Sequence, residues 1–238
     1  DAIKSILARS GSCRFVDVGT NIGYFSLAAA ALGCRVVSFE PMSRNVRKVV
    51  SSIRRNGFEG QVSLYHNAVG DVPGQLVSVR QTAPTNAGNG QISPPAAGTR
   101  PPAEPGPEEV YGVDYVRTVL LDGVIDHDVE LIKIDVEGFE GQVLAGARTL
   151  LCCRVVRHVI IEFRPEARNQ PGCPGRLMLT WMEGAGYRIS DINPAPYRTA
   201  PDGSPMPSAR TLSASMDLSK FPENLLFTLL NPSRHRAP

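Results

Sequence analysis

Glycine-bounded apolar runs alternate with helix-spaced apolar positions along the first third of the chain, the pattern of βα units on a sheet covered on both faces. Residues 14–18 read as a buried strand, 24–32 as an alanine-rich helix ended by Gly33, and 35–40 as a second strand closed by an acid. A helix over 45–56 carries Val46, Val49, Val50 and Ile53 at helical spacing with basic residues on its other side, and Gly57 stops it. Residues 3–9 form a short amphipathic helix ahead of these units. Residues 62–66 and 68–69 make a third strand and its exit, and 76–79 a short extra strand.

Periodicity then disappears over 81–112, where proline, glycine and alanine dominate. A stretch of that kind inside a domain is a surface loop, serving as a lid, a binding segment or an inert insertion. Its Asn86–Gly90 end is expected near the site and its proline-rich end to be inert. Regular pattern resumes with strands at 116–120, 129–135 and 155–163 and a helix over 139–151. A helix over 174–185, a strand over 187–192, a second proline-rich loop within 194–216 and a final strand over 224–230 complete the chain. One α/β domain over residues 1–238, with the two loops as insertions, accommodates all of this.

The chemistry begins in FVDVGTNIGYF, a strand that runs into a glycine turn and then a helix. With Glu40 closing the next strand, the segment has the layout of a first βαβ unit that offers a carboxylate to ribose hydroxyls. A dinucleotide turn requires GxGxxG, so that the backbone can approach a pyrophosphate. Here Gly19 and Gly23 stand as GxxxG, with Thr20 and Asn21 between them. Asp17 adds negative charge that a diphosphate would resist and that the amine and sulfonium of S-adenosylmethionine would favour. The residues therefore point to the methyl donor over NAD.

Composition narrows the partners. Lys plus Arg total 25 against 23 for Asp plus Glu, so the electrostatic signature of a nucleic-acid binder is missing. No apolar run reaches the length of a membrane span. The five cysteines show no CxxC spacing, and their odd count across strand-like segments is expected to mean reduced, mostly buried thiols, which favours a reducing compartment.

Taken in order, FVDVGTNIGYFSL, VVSFEPMSRN, HNAVGD, TNAGNG, VELIKIDVEGFEGQVLAGARTLL and IIEF resemble the FkbM family of S-adenosylmethionine-dependent methyltransferases, with KIDVEGFE the most specific match. The resemblance implies a Rossmann-like class I methyltransferase fold, a mostly parallel seven-stranded sheet with an antiparallel C-terminal edge strand. It also implies methylation of a hydroxyl on a sugar, polyketide or related small metabolite. Carried over residue by residue, Asp17, Gly19, Thr20, Asn21 and Gly23 would cradle the methionine half of the cofactor, Glu40 would bind the ribose, and Asn67 with Ala68 would lie beside adenine. The proline-rich insertion after Gly90 departs from the family pattern and leaves the acceptor open.

Transfer to a hydroxyl requires an aligned acceptor and a proton acceptor. Asp135 and Glu137 after LIKI, and Glu162 near the end of VIIEF, are the candidate catalytic carboxylates. Asp135 is expected to take the acceptor proton or contact the methionine amine, and Glu137 to orient substrate or cap the following helix. A carboxylate cluster of this kind also suits Mg2+, although no metal is assigned. Lys133, inside an apolar strand, must be paired, and Glu162 or Glu137 are its expected partners. His66 is expected to be structural. A cofactor-binding module without turnover, a nicotinamide oxidoreductase and a nucleic-acid methyltransferase are the competing readings.

Overall fold

The computed structural model describes residues 2–9, 13–81, 90–93, 113–163, 174–192, 198–199, 205–206, 211–217, 221 and 224–232. Its main sheet is built from β1 (Arg14–Val18), β2 (Arg35–Phe39), β3 (Val62–Tyr65), β8 (Val129–Ile134), β9 (Val156–Glu162), β10 (Tyr187–Asp191), β13 (Thr211–Leu212) and β14 (Asn224–Leu229). The order is β13-β10-β14-β9-β8-β1-β2-β3. Pairing from β3 through β9 is parallel, and β14 runs antiparallel to both β9 and β10. The antiparallel strand expected at the C-terminal end of the sheet thus inserts between β9 and β10, and the two-residue β13 lies outermost.

Helices cover both faces. On one lie α1 (Ala2–Leu7), α2 (Tyr24–Ala31) and α3 (Ser43–Asn56), whose Leu7, Ala29, Ala30, Val49 and Ile53 pack on Phe15, Val36 and Leu131 of the sheet. On the other lie α4 (Leu121–Val124), α5 (Glu140–Ala145), α6 (Arg148–Cys153) and α7 (Pro174–Gly184), packed on Val16, Val18, Ile132 and Ile134. Alternation along β1 and β8 therefore feeds two apolar layers, as a strand period of two requires.

A second sheet, ordered β4-β7-β5-β6, is formed by β4 (Ala68–Val69), β5 (Leu76–Gln81), β6 (Gly90–Ser93) and β7 (Val113–Val119). The residues read as a loop from 81 onward thus include a strand at 90–93, where Ile92 packs against a small core of Met42, Ala68, Val77, Val79 and Val116. The second proline-rich segment likewise holds β11 (Arg198–Thr199), β12 (Pro205–Met206) and β13. Four-residue and two-residue strands are too short for a period to stand out among prolines. Residues 86–89 of the loop lie outside the described residues.

Two further expectations change. The single helix over 139–151 is broken into α5 and α6 at Gly146, where a Cβ would come within 2.0 Å of the Gly70 carbonyl oxygen. The Gly70 backbone thus leaves no room for a side chain at that position. Among the cysteines, Cys13 and Cys34 form a disulfide, with Cα atoms 4.6 Å apart, while Cys152 and Cys153 are exposed thiols. The parallel register pairs Arg14 with Arg35, so the residues just before them meet. The buried-thiol reading is corrected, and the case for a reducing compartment loses its basis. No helix among the described residues is long and apolar enough to cross a membrane.

The disulfide closes the βαβ unit that carries the glycine turn, and closing a loop of this size stabilises by about 3 kcal/mol. Intact mass under non-reducing conditions should show one bond, and reductant or Cys34→Ser should lower the urea midpoint accordingly. An unchanged midpoint would mean the bond contributes nothing.

Candidate functional site

The strand–turn–helix at the C-terminal end of β1 is shaped by backbone that only some residues tolerate. Gly19, Asn21 and Gly23 have φ of 79°, 55° and 88°, in the left-handed region. A Cβ at Gly19 would lie 2.0 Å from the Asp135 carbonyl oxygen, and one at Gly23 would press on Val49. The amides of Gly19 and Thr20 both donate to the Phe39 carbonyl at 3.0 Å, which fixes the turn to the end of β2.

Beneath the turn runs a buried polar seam. In register, Asp17 of β1 sits between Ser38 of β2 and Lys133 of β8. Asp17 has 0% exposure; its Oδ2 accepts hydrogen bonds from Thr20 Oγ1 at 2.8 Å and Ser26 Oγ at 2.6 Å. Its Oδ1 lies 3.5 Å from Lys133 Nζ, long for a hydrogen bond but close enough for ion pairing between two buried side chains. Lys133 Nζ also pairs with Asp135 Oδ2 at 3.2 Å, donates to the Gly19 carbonyl at 3.3 Å and lies 5.5 Å from the Phe25 ring centroid. Burial alone would push the ammonium down, but Asp17 and then Asp135 outweigh it and hold Lys133 above the ordinary lysine range. The partners expected for Lys133, Glu162 or Glu137, are thereby corrected to Asp17 and Asp135. Asp17 itself supports the turn from below and has no surface with which to meet a ligand.

Glu40 closes the other side. Only 4% exposed, it accepts hydrogen bonds from the Asn21 amide at 2.8 Å, the Met42 amide at 3.0 Å and Asn45 Nδ2 at 3.4 Å. Burial raises its pKa to about 7 against these donors, with a further push from Asp17. A buried carboxylate in this state is a strong acceptor for additional hydroxyl donors, so the residues fit an adenosine-type cofactor. Asn45, on α3, was not singled out from sequence, since its helical position gave it only a packing role.

Asn67 and Ala68 follow β3. Asn67 Nδ2 donates to the Arg117 carbonyl at 2.9 Å, and Ala68 is buried in β4. Ser43 Oγ donates to Asp114 Oδ1 at 2.5 Å, and the exposed His66 has its Nε2 3.1 Å from the Pro41 carbonyl.

The three candidate carboxylates converge. One oxygen each from Asp135, Glu137 and Glu162 lie within 4.8 Å of one another, all partly exposed at the C-terminal ends of β8 and β9. Such oxygens can share a proton or bracket a hard cation. Glu137 is held at φ 57°, followed by Gly138 at 101°. The capping role considered for Glu137 falls to Glu140, whose Oε1 accepts from the Val136 amide at 3.2 Å and the Gly138 amide at 3.1 Å. The signal for Glu140 was its place at the first position of the helix after GF. The cluster opens on a cleft of about 990 Å3 whose walls include Phe163, Leu177 and Trp181, with Gln91, Gln142 and Arg148 as polar groups.

Lys133→Met should destabilise the chain by about 3–5 kcal/mol, because the buried Asp17 would lose its cationic partner. Adding Asp17→Asn should recover much of that loss in urea melts. Additive losses would show that the two side chains do not interact.

A profile of the methyltransferase FkbM domain matches residues 17–189. No curated protein matches the chain. Among solved structures, a methyltransferase FkbM from Methylobacillus flagellatus KT superposes with a TM-score of 0.51 at 17% identity, over 95% of this chain and 47% of that one. The chain therefore spans about half the length of that relative, and the likeness establishes the fold. A SAM-dependent O-methyltransferase from Thermotoga maritima gives 0.47 at 11% identity, over 97% and 64% of the two chains. An rRNA methylase from Streptococcus thermophilus gives 0.47 at 10%, over 96% and 94%. With the domain profile covering most of its length, the chain belongs to the FkbM methyltransferase domain family, and S-adenosylmethionine is its cofactor.

Proposed function

We propose that the chain methylates a hydroxyl oxygen on a sugar or other small metabolite. The observation that carries this reading is the convergence of Asp135 with Glu137 and Glu162, the latter two lining the cleft, and the Asp135 backbone packed against Gly19 of the cofactor turn. A hydroxyl is a weak nucleophile at neutral pH, so a carboxylate beside it is the group the chemistry needs.

In this reading Gly19, Thr20, Asn21 and Gly23 form the cradle, Asp17 and Lys133 hold it from below, and Glu40 accepts hydrogen bonds from the ribose hydroxyls. Asn67 and Ala68 border the adenine. Bound S-adenosylmethionine supplies an electrophilic methyl group. Asp135 accepts the proton of the acceptor hydroxyl, with Lys133 fixing its orientation through the 3.2 Å ion pair. Glu137 and Glu162 accept hydrogen bonds from neighbouring acceptor hydroxyls and align the reactive one. Trp181 and Phe163 give the cleft an apolar wall suited to the face of a sugar ring or to a hydrocarbon body.

S-Adenosylhomocysteine release across a panel of neutral hydroxylated acceptors tests the proposal. Asp135→Asn should lower kcat by about 10²–10⁴-fold with cofactor affinity within a few-fold of wild type. Full turnover with unchanged affinity removes Asp135 as the base, and cofactor binding without release on any hydroxyl acceptor removes the oxygen-directed reading.

Glu40 gives a pH dependence with a definite sign. Ribose hydroxyls donate to the ionised carboxylate, and the free chain holds that group at about 7. Binding must therefore expel a proton at acid pH, and affinity should be about tenfold weaker at pH 6 than at pH 8. Glu40→Gln should flatten the profile in calorimetric titrations; a wild-type affinity independent of pH would show that Glu40 is ionised throughout.

A further inference from the structure

The net charge of +2 conceals a strong asymmetry. Residues 1–57 hold nine Lys and Arg against three Asp and Glu, and the remaining 181 residues hold 16 against 20. Two of the three early acids, Asp17 and Glu40, are buried. The solvent side of the α1–α3 layer is therefore cationic.

Most of that charge stands on α3. Arg44, Arg47, Lys48, Arg54 and Arg55 are all exposed, and no acid interrupts the helix. At 100° per residue the five fall within an arc of about 120°, opposite the buried Asn45, Val49 and Ile53, and extend about 17 Å along the axis. None of the five forms an ion pair with a described residue. Lys4 on α1 and Arg9 just beyond it add to the same layer.

Between α1 and α3 lies α2, which carries no charged residue. Tyr24 at its start is 56% exposed, Leu32 just past its end 47%, and Ile22 in the preceding turn 49%. Lys4 Nζ lies 5.3 Å from the Tyr24 ring centroid and donates to its hydroxyl at 3.3 Å. Exposed aliphatic groups and a phenol bordered by cations are the composition of a surface that meets lipid headgroups and the outer acyl boundary together. A nucleic-acid backbone would engage the cations but gain nothing from Ile22 and Leu32.

We propose that the α1–α3 layer docks the chain on an anionic lipid bilayer. Basic residues near such a surface attract the headgroups additively, each strengthening binding by about fivefold, and the attraction weakens as salt shortens its range. Exposed Leu32 and Ile22 supply a component that salt does not remove.

Sedimentation of the 238-residue chain with vesicles tests this, using phosphatidylcholine alone and phosphatidylcholine with about 30% phosphatidylserine at about 0.1 M salt. The chain should pellet with the anionic vesicles only, less so at about 0.5 M salt. The triple variant Arg47→Gln, Lys48→Gln, Arg55→Gln should bind about a hundredfold more weakly. Its S-adenosylhomocysteine affinity and circular dichroism should be unchanged, since none of the three touches the cofactor turn. Leu32→Ser should reduce the salt-resistant fraction. Absence from both pellets, equal binding to both vesicles, or a triple variant that binds like wild type would each overturn the proposal. So would stronger binding to an RNA oligonucleotide or to polyglutamate than to the anionic vesicles at the same salt.

Discussion

The buried pair of Asp17 and Lys133 constrains more of this structure than any other contact. Neither charge can be left alone in the interior, since an unpaired buried ion costs several kcal/mol. Satisfying both requires β1 and β8 to be adjacent, parallel and in the register that sets Asp17 beside Lys133. A slip of one residue would turn each charge to the opposite face and into the apolar layer of Val16, Ile132 and Ile134. The same pair reaches the chemistry, because Lys133 also holds the Gly19 carbonyl and the Asp135 carboxylate. Sheet register and site geometry are thus one requirement.

Glu40 solves the problem of burial differently. It has no cationic partner among the described residues, only two backbone amides and one side-chain amide, and its pKa rises to about 7. Lys133 is neutralised within the protein, whereas Glu40 keeps an unmet capacity for hydrogen-bond donors. Under the proposed function, the paired hydroxyls of the ribose would complete the shell around this carboxylate.

Much of this was legible in local patterns. FVDVGTNIGYF encodes its strand, turn and helix through glycines at positive φ, of which Gly19 closely approaches Asp135, and RVVSFE delivers Glu40 to the strand end. The less legible features depend on what lies across the sheet. Strand alternation told that Lys133 and Asp135 share a face, but not that Asp17 is the next residue over, which needs the strand order. Cys13 and Cys34 meet only because the register pairs Arg14 with Arg35. At the break between α5 and α6, Gly146 lies against the Gly70 backbone, remote from it in sequence. Glu137 was the cap expected from sequence, but backbone geometry gives the amides of Val136 and Gly138 to Glu140.

Charge was misleading in another way, because a near-zero sum says nothing about segregation. The fold places the basic N-terminal segment on one face of the sheet as α1–α3, while the walls of the acceptor cleft come from α5 and α7 on the other. A chain held on a bilayer through α1–α3 would present the cleft, with Glu137 and Glu162 in its lining, away from the lipid. Docking and acceptor entry then do not compete for surface.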